Sequence, residues 1–296
     1  MQILLTGSHG LIGSALLPLL EARGHQVTRL VRSRPQSGSE AFWDAQRGEL
    51  DAALVQRSDA IIHLGGESVA TRWTEAKRQE IIASRLDSTR LLSEAVARSG
   101  GRQVLVCASA IGFYGDRGDE ILDETSSSGG GFLARVCREW EGSAEPARAA
   151  GARVVSARLG VVLSPEGGAL KAMLPAFRLG LGGPLGSGRQ WLSWISLLDA
   201  ARALAHLAEE SSISGPANLT APNPARSKDF ARALGHALHR PALIPAPRFA
   251  LKLMLGDAAD EMLLFSQRVR PQVLEASGFE FEHARLDEAL GSLLGS

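Results

Sequence analysis

The sequence predicts an α/β protein built on a doubly wound parallel sheet, with a smaller C-terminal α+β domain. The first observation is an apolar strand at residues 2–5 that leads through a glycine-rich run into an apolar helix at residues 11–23. The second is the return of short apolar runs, at residues 26–31, at 59–64 and from residue 104, between segments with helical spacing. Strands that alternate with helices form parallel sheets covered on both faces.

The glycine-rich run joins the first strand to the first helix. It reads Thr-Gly-Ser-His-Gly-Leu-Ile-Gly over residues 6–13. Gly7 allows the tight turn, Gly10 lets the backbone approach a pyrophosphate, and Gly13 lets the helix pack closely on the strand. The start of the helix adds unpaired N–H groups and a partial positive charge. A glycine-rich turn that binds nothing is the alternative, but the strand, the spacing and the helix together favour a dinucleotide site.

The turn after the second predicted strand indicates which dinucleotide would bind. An acidic residue there accepts hydrogen bonds from the ribose 2′-hydroxyl of NAD, whereas an arginine accommodates the 2′-phosphate of NADP. The strand ends at Val31 and continues into Arg32, Ser33 and Arg34, with no acid. A solvated basic turn is the alternative interpretation. Beside the glycine-rich run, the two arginines favour NADP(H) as the cofactor.

Composition narrows the class of protein. The 296 residues include 32 basic and 32 acidic side chains, so no net charge favours nucleic acid or an anionic membrane surface. Cys107 and Cys137 lie far apart and match no metal-ligand spacing, which fits a reducing compartment. No secretory leader and no apolar run of transmembrane length is apparent. We therefore expect a soluble cytoplasmic protein, a monomer or homodimer, without a metal site, nucleic-acid partner or membrane partner.

The third predicted strand follows a polar loop at residues 38–48 and ends near a second pair of glycines. Gly65 and Gly66 come directly after the apolar run, where they leave room for a cofactor against the backbone. His63 lies just before them. A histidine there can contact a ligand or transfer a proton, but a histidine buried in the strand is the favoured interpretation.

Two motifs together resemble the extended short-chain dehydrogenase/reductase superfamily, which includes the nucleotide-sugar epimerases and dehydratases. They are the glycine-rich run at residues 6–13 and the Asp-x-x-x-His-x-Gly-Gly pattern at residues 59–66. Further segments match the superfamily in the same order: residues 85–89 at the start of a helix running to about Arg98, and residues 104–115, 158–163, 186–190 and 194–199. Residues 179–188, 266–271 and 277–281 narrow the resemblance to its atypical branch of epimerase-family proteins with a specialised C-terminal domain.

The resemblance covers essentially the whole chain and implies a Rossmann fold that binds NADP(H). The residues predicted to hold the cofactor come from the glycine-rich run, the turn after the second strand, the Gly-Gly segment and the following helix and strand. They are Thr6, Gly7, Ser8, Gly10, Leu11, Ile12, Gly13, Arg32, Ser33, His63, Leu64, Gly65, Gly66, Arg85 and Ser109.

The usual catalytic residues of that superfamily are missing from the matching positions. Its enzymes use a Tyr-x-x-x-Lys pair on one helix face, with a Ser or Thr at the end of the preceding strand. The lysine lowers the pKa of the tyrosine, which transfers the proton. In this chain Phe132 and Val136 stand at the tyrosine and lysine positions, and Ala110 stands at the hydroxyl position with Ser109 beside it. The catalytic set is therefore unknown.

Tyr114, Glu67 and Ser109 are the remaining candidates for catalysis. Tyr114 is the one tyrosine of the chain and is expected at the crevice, where it could orient a substrate oxygen. Glu67 could act as a general base if buried near the nicotinamide, although a surface carboxylate is the favoured alternative. Arg85, expected at a helix N-terminus, either binds a phosphate or carboxylate or lies on a solvated helix face.

The expected domain division assigns residues 1–165 and 199–220 to an NADP-binding domain, and residues 166–198 and 221–296 to a substrate-side domain. Two functional hypotheses follow. The first is an NADP(H)-dependent oxidoreductase or epimerase-like enzyme that acts on an unidentified small molecule with a non-standard catalytic set. The second is a non-catalytic NADP(H)-binding sensor or scaffold.

Overall fold

The computed structural model describes residues 1–295 of the chain. Its strands are β1 (Gln2–Thr6), β2 (Gln26–Val31), β3 (Glu40–Phe42), β4 (Ala60–His63), β5 (Val104–Ala110), β6 (Ile121–Leu122), β7 (Val154–Leu159), β8 (Val161–Leu163), β9 (Trp191–Leu192), β10 (Trp194–Ser196), β11 (Gly215–Leu219), β12 (Ala225–Arg226) and β13 (Arg268–Val269). Its helices are α1 (Leu11–Ala22), α2 (Ala52–Arg57), α3 (Glu75–Arg98), α4 (Phe132–Gly142), α5 (Glu145–Ala149), α6 (Gly168–Arg178), α7 (Leu197–Glu209), α8 (Ser227–Ala237), α9 (Arg248–Leu255), α10 (Gln272–Ala276) and α11 (Leu286–Leu294).

Seven strands form one parallel sheet in the order β11-β7-β5-β4-β1-β2-β3. The chain moves outward from β1 to β2 and β3, and then returns to β4 on the other side of β1. In such a doubly wound sheet, ligands bind in the crevice beyond the carboxyl ends of the strands, at the point where the order reverses. The predicted fold class is confirmed, and the crevice lies beyond β1 and β4.

Helices cover both faces of this sheet with two apolar cores. On one face α1 and α7 pack together through residues such as Leu16, Leu20 and Leu204. On the other face Leu92 and Val96 of α3 pack with residues of α2 and α5. Each of these fully buried aliphatic side chains contributes about 1.5–3 kcal/mol by leaving water, so the two cores hold the carboxyl ends of the strands rigidly in place.

The C-terminal part of the chain has a third apolar core. It is formed by residues of β8, β10, α6, α8 and α11, among them Leu174, Phe177, Trp194, Phe230 and Leu290. Three two-stranded sheets accompany it: β8 with β10, β9 with β12, and β6 with β13. A separate core of this kind gives the region beyond the main sheet a fixed shape that can form one wall of a cleft.

Two segments differ from the sequence-based expectation. The polar loop predicted at residues 38–48 contains β3, which pairs with β2 at the sheet edge, where the Glu40 carboxylate lies 2.9 Å from the Arg29 guanidinium. The helix predicted to begin at Arg85 begins at Glu75 instead. Thr74 caps it by accepting a hydrogen bond from the Lys77 N–H, and capping threonines of this kind set helix starts.

No helix within residues 1–295 is both long enough and apolar enough to cross a lipid bilayer.

Candidate cofactor and substrate site

A cavity of about 290 Å³ lies at the crevice beyond the carboxyl ends of β1 and β4. Six of its lining residues are ones predicted to hold the cofactor: Gly7, Gly10, Leu11, Ile12, Gly13 and Leu64. Its opposite wall comes from β5, β7, β8 and the start of α6, through Ala108, Leu159, Val161, Val162, Gly168 and Ala169. The walls are mostly apolar, as in the nucleotide sites of other proteins.

The glycines of the loop are required by close backbone contacts. Gly7 has φ +69°, a left-handed conformation that glycine adopts without strain. A Cβ on Gly13 would lie 2.2 Å from the Gly7 carbonyl oxygen, so no side chain fits there. The Gly10 N–H donates to the Gly7 carbonyl at 3.0 Å. Gly10 directly precedes α1, whose first turn contains no acidic residue. The free N–H groups of this turn can therefore receive a phosphate.

Thr6 and His63 form buried hydrogen bonds that hold the segment after β4. The Thr6 hydroxyl oxygen accepts hydrogen bonds from the N–H groups of Leu64 (3.1 Å) and Gly65 (3.2 Å). It lies 2.7 Å from His63 Nδ1, and His63 Nε2 lies 2.9 Å from the Ser88 hydroxyl. Both Thr6 and His63 are fully buried. Neither residue lines the cavity, and their hydrogen bonds hold the residues after β4 that do, such as Leu64.

Burial, together with the nearby charge of Arg85, lowers the pKa of His63 to about 3. The imidazole is therefore neutral near pH 7. The Ser88 hydroxyl donates to the Ser84 carbonyl at 2.6 Å, which leaves its oxygen to accept from His63 Nε2–H. Nδ1 then accepts from the Thr6 hydroxyl, so a single tautomer satisfies the whole chain of hydrogen bonds.

Arg32 and Ser33 lie on the exposed turn after β2, next to β1 in the sheet order. Within residues 1–295, Arg32 forms no ion pair closer than 4 Å. The pKa of the Glu67 carboxyl group is lowered first by its hydrogen bond with Lys77, and the charge of Arg32 adds a smaller effect in the same direction. An arginine without a carboxylate partner beside the glycine loop is suited to bind an anionic group of a cofactor.

Arg85 lies near the middle of α3 and not at its N-terminus, so that expectation is corrected. Its guanidinium donates to the carbonyl oxygens of Glu67 (2.9 Å) and Ile81 (3.1 Å), and it lies over the Trp140 ring at 4.9 Å. Burial holds the pKa of Arg85 below its usual value. The side chain packs against Gly66 and fixes the loop after β4.

Ser109 belongs to a buried polar chain. Its hydroxyl donates to the Glu141 carboxylate at 2.7 Å, and that carboxylate binds the Arg158 guanidinium through two hydrogen bonds of 2.8 Å and 2.9 Å. Arg158 also donates to the Tyr114 hydroxyl at 3.0 Å, and Tyr114 donates to Asn218 at 2.7 Å. These contacts join β5, α4, β7 and β11, and they engage the polar atoms of both Ser109 and Tyr114.

Tyr114 is fully buried and does not line the cavity, contrary to the expectation that it lies at the crevice. Burial raises the pKa of Tyr114 to about 12, with Arg158 opposing the effect. The phenol is therefore neutral near pH 7, and its proton is already donated within the protein. The arrangement suits a structural role for this tyrosine.

Glu67 lies at the surface of the loop after β4. The Lys77 ammonium lies 2.6 Å from its carboxylate, and the hydrogen bond between them holds the pKa of Glu67 below its usual value. A carboxylate with a lowered pKa is a weak proton acceptor. The geometry thus gives Glu67 the properties of an ion-pair partner.

Phe132 and Val136 are buried in an apolar cluster with Trp73, Ile81 and Ala258. This apolar cluster does not suit the superfamily's lysine, since an ammonium at position 136 would find no polar partner among these side chains. The N-terminus of α4 is instead capped from the C-terminal region: the Glu261 carboxylate accepts hydrogen bonds from the N–H groups of Phe132 and Leu133. The role of Glu261 is not predictable from the sequence, because no local pattern connects it to a helix almost 130 residues earlier.

A second cavity, of about 490 Å³, lies beside this capped helix end. Most of its lining is polar or charged. The residues are Arg78, Asp116, Gly186, Ser187, Gln190, Arg248, Asp257, Asp260, Glu261, Leu264 and Phe265. Part of one wall is a π-helical turn, Asp260–Leu264, a conformation that is frequent at functional sites. We refer to this cavity as the acidic cleft, because four carboxylates and two guanidinium groups line it.

The model of the NAD dependent epimerase/dehydratase family matches residues 3–219, nearly three quarters of the chain. The chain belongs to this family. Residues 246–293, which include α9, α10 and most of α11, match a domain of unknown function, DUF1731. The predicted resemblance is confirmed, including its C-terminal part.

Relatives within this family extend over almost the full length. An epimerase family protein of Mycobacterium bovis is 46% identical over 290 residues, which are 98% of this chain and 96% of that protein. The human epimerase family protein SDR39U1, whose crystal structure contains NADPH, is 34% identical, with a TM-score of 0.89 and full coverage of both chains. A Corynebacterium glutamicum structure described as a nucleoside-diphosphate sugar epimerase is 37% identical with a TM-score of 0.82; this chain is fully covered but spans 58% of that one.

Proposed function

We propose that this epimerase-family protein is an NADP(H)-dependent oxidoreductase or epimerase-like enzyme that acts on a small molecule bound in the acidic cleft. The observation that carries the proposal is the glycine loop, which lines the cavity beyond β1 and has no room for a side chain at Gly13. The human relative crystallised with NADPH supports the same cofactor.

The residues present fit NADP(H) well. The first turn of α1 offers N–H groups without an acidic side chain to compete for them, which suits the pyrophosphate. The apolar cavity walls suit the nucleoside rings. Arg32, with no ion-pair partner within residues 1–295, suits the 2′-phosphate. Ser8, Ser33, Gly65, Gly66 and Ser109 remain proposed contacts, and Thr6, His63 and Arg85 are proposed to act by positioning the loops that contact the cofactor.

Bound NADP(H) would supply or accept the hydride. The protein's own contribution is to bind and orient the two reactants and to provide a proton at the substrate oxygen. The superfamily's tyrosine and lysine are replaced, so the proton must come from another group. The acidic cleft supplies carboxylates beside this position, and one of them, Glu261, accepts a hydrogen bond from the backbone N–H of Phe132.

A second candidate function is a non-catalytic NADP(H)-binding sensor or scaffold. It is favoured by one observation: the three candidate catalytic side chains all have partners within the protein. Ser109 donates to Glu141, Tyr114 donates to Asn218, and Glu67 pairs with Lys77. In this case the acidic cleft would bind a partner or regulator without turnover.

Two measurements on the purified protein test these proposals in sequence. Titration of NADPH fluorescence measures binding, and its absence at millimolar nucleotide would refute both functions. Incubation of 4-deuterated NADPH with a panel of small aldehydes and ketones then measures transfer of the label. Transfer to any member supports the enzyme. Tight binding with no transfer to the panel, and no exchange between NADPH and oxidised NADP analogues, supports the sensor.

The two parts of the chain are proposed to divide this work. Residues 1–165 with 199–220 would hold the cofactor, and residues 166–198 with 221–296 would shape the substrate side. The separate apolar core around Trp194 and Phe230 supports this division. A reducing compartment such as the cytoplasm is proposed because both cysteines are buried and unpaired.

A further inference from the structure

The turn after β2 and the loop after β4 lie on either side of the glycine loop. This follows from the sheet order, in which β1 lies between β4 and β2 and all three strands run in parallel. The carboxyl ends of the three strands therefore meet at one edge of the sheet. Arg32 comes from the first of these segments and Glu67 from the second, so both flank the site proposed for the adenosine half of the cofactor.

Lys77 joins this group from the start of α3. Its ammonium lies 2.6 Å from the Glu67 carboxylate and 3.1 Å from the Glu80 carboxylate. About 23% of the Lys77 side chain and 39% of the Glu67 side chain are exposed. Neither side chain is held in a closed core, and the flexible lysine stem can exchange one anionic partner for another.

Four charged side chains thus flank the glycine loop, Arg32 from the turn after β2 and Lys77, Glu67 and Glu80 from the side of β4, and we refer to these four side chains as the cluster. A 2′-phosphate would bring between one and a half and two negative charges to the cluster, by the usual phosphate pKa. One guanidinium compensates only part of that charge. The nearby ammonium could compensate the rest, whereas the Glu67 carboxylate would oppose it.

We propose that Lys77 is a second determinant of NADP(H) selectivity, which pairs with the 2′-phosphate together with Arg32, and that Glu67 is its counter-ion in the cofactor-free protein. The inference rests on the proposed NADP(H) function. Lysine binds phosphate as a point charge, and arginine adds directional hydrogen bonds, so the two cations act differently on the same group. Glu67 keeps Lys77 near the site and lowers the affinity for the phosphate.

The alternative is that Lys77 only stabilises the start of α3. The two roles differ in one measurable respect, the ratio of the dissociation constants for NADPH and NADH. A structural role would weaken both nucleotides alike, because they share every group except the 2′-phosphate. A selectivity role would weaken NADPH alone.

The test measures NADPH and NADH binding by fluorescence for the full chain and four variants. Lys77→Ala should weaken NADPH roughly tenfold and NADH less than twofold, since one lost ion pair to phosphate corresponds to about a factor of ten. Lys77→Arg should restore most of the loss. Glu67→Gln should tighten NADPH about threefold without changing NADH. Glu94→Gln, which removes an exposed carboxylate near the far end of α3, is the control and should change neither.

Equal weakening of both nucleotides by Lys77→Ala, or no weakening, would overturn the inference while leaving the proposed function intact. Weaker NADPH binding by Glu67→Gln would also overturn it. If the unaltered protein binds neither nucleotide, the proposed function itself fails. A competition series with 2′,5′-ADP and 5′-AMP supplies an independent readout: Lys77→Ala should weaken only the first compound.

Discussion

The carboxylate of Glu261 accepts a hydrogen bond of 2.8 Å from the backbone N–H of Phe132. Phe132 stands at the helix position where related dehydrogenases carry their catalytic tyrosine. The C-terminal region thus closes the N-terminus of α4, with a second hydrogen bond of 2.7 Å from the next N–H. The contact connects the matched epimerase region to the DUF1731 region. The two regions therefore form this part of the wall of the acidic cleft together.

Removing this cap should destabilise the protein. We expect Glu261→Ala to lower the free energy of unfolding by about 1–2 kcal/mol, the usual effect of losing a charged group that caps a helix N-terminus. Urea unfolding followed by circular dichroism measures the change. Glu280→Ala, at an exposed position, is the control and should have an effect below about 0.5 kcal/mol. Equal stability of the two variants would show that the cap contributes nothing.

The pair formed by Glu141 and Arg158 should be sensitive to the loss of one partner. The Arg158 side chain is 5% exposed, so Glu141→Gln leaves a buried guanidinium without its charge partner. We expect a loss of about 3–5 kcal/mol. The double variant Glu141→Gln, Arg158→Met should recover part of the loss, since both charges are then absent. Glu139→Gln, an exposed neighbour on the same helix, should cost less than about 1 kcal/mol. A single variant as stable as this control would contradict the buried-pair interpretation.

His63 should make stability depend on pH. Its pKa is about 3 in the folded protein, against 6.5 for the free side chain, so below pH 6.5 the unfolded chain binds a proton that the folded chain does not. The contribution of the neutral His63 to the free energy of unfolding is fully present above pH 6.5. It is lost as the pH falls below that value, by up to about 1.4 kcal/mol per pH unit. We expect His63→Asn to remove this slope between pH 6 and 4 in urea titrations. His239→Asn, at an exposed histidine, should keep it; identical slopes for all three proteins would exclude His63 as the cause.

Arg32 should determine the preference for the phosphorylated cofactor. We expect Arg32→Ala to weaken NADPH by about tenfold or more and NADH by less than twofold, because only NADPH carries the 2′-phosphate. Fluorescence titration of both nucleotides gives the two dissociation constants. Equal losses for both would mean that Arg32 does not contact the phosphate.

The acidic cleft should reject nucleoside diphosphates. Its lining includes the carboxylates of Asp116, Asp257, Asp260 and Glu261, against two guanidinium groups that already pair with Asp257 and Asp260. A diphosphate would add negative charge to a region whose two guanidinium groups are already paired with carboxylates. We expect no heat of binding when UDP-glucose is titrated into the protein saturated with NADPH, while NADPH itself gives a signal. Micromolar affinity for UDP-glucose would contradict the interpretation that the acidic cleft rejects nucleoside diphosphates.

The parts of the fold that depend on neighbouring residues were predictable from the sequence. β1, the glycine loop and α1 follow one another within about twenty residues, and the steric demands of Gly7 and Gly13 arise inside that span. Features that join distant residues were not predictable. The strand β3 pairs with β2 at the sheet edge, where Arg29 and Glu40 also form an ion pair, and the buried Tyr114 hydroxyl donates to Asn218, which lies 104 residues later.

The cluster around Val136 also limits how this protein can change. A lysine at that position would place an ammonium among Trp73, Ile81, Phe132 and Ala258, at a cost of several kcal/mol for an unpaired buried charge. A tyrosine at 132 without that lysine would be buried with no ammonium to lower the pKa of its phenol. Neither substitution is useful without the other, and the pair also requires smaller or polar neighbours. A series of single substitutions would therefore pass through less stable or inactive forms before the usual tyrosine and lysine could act together.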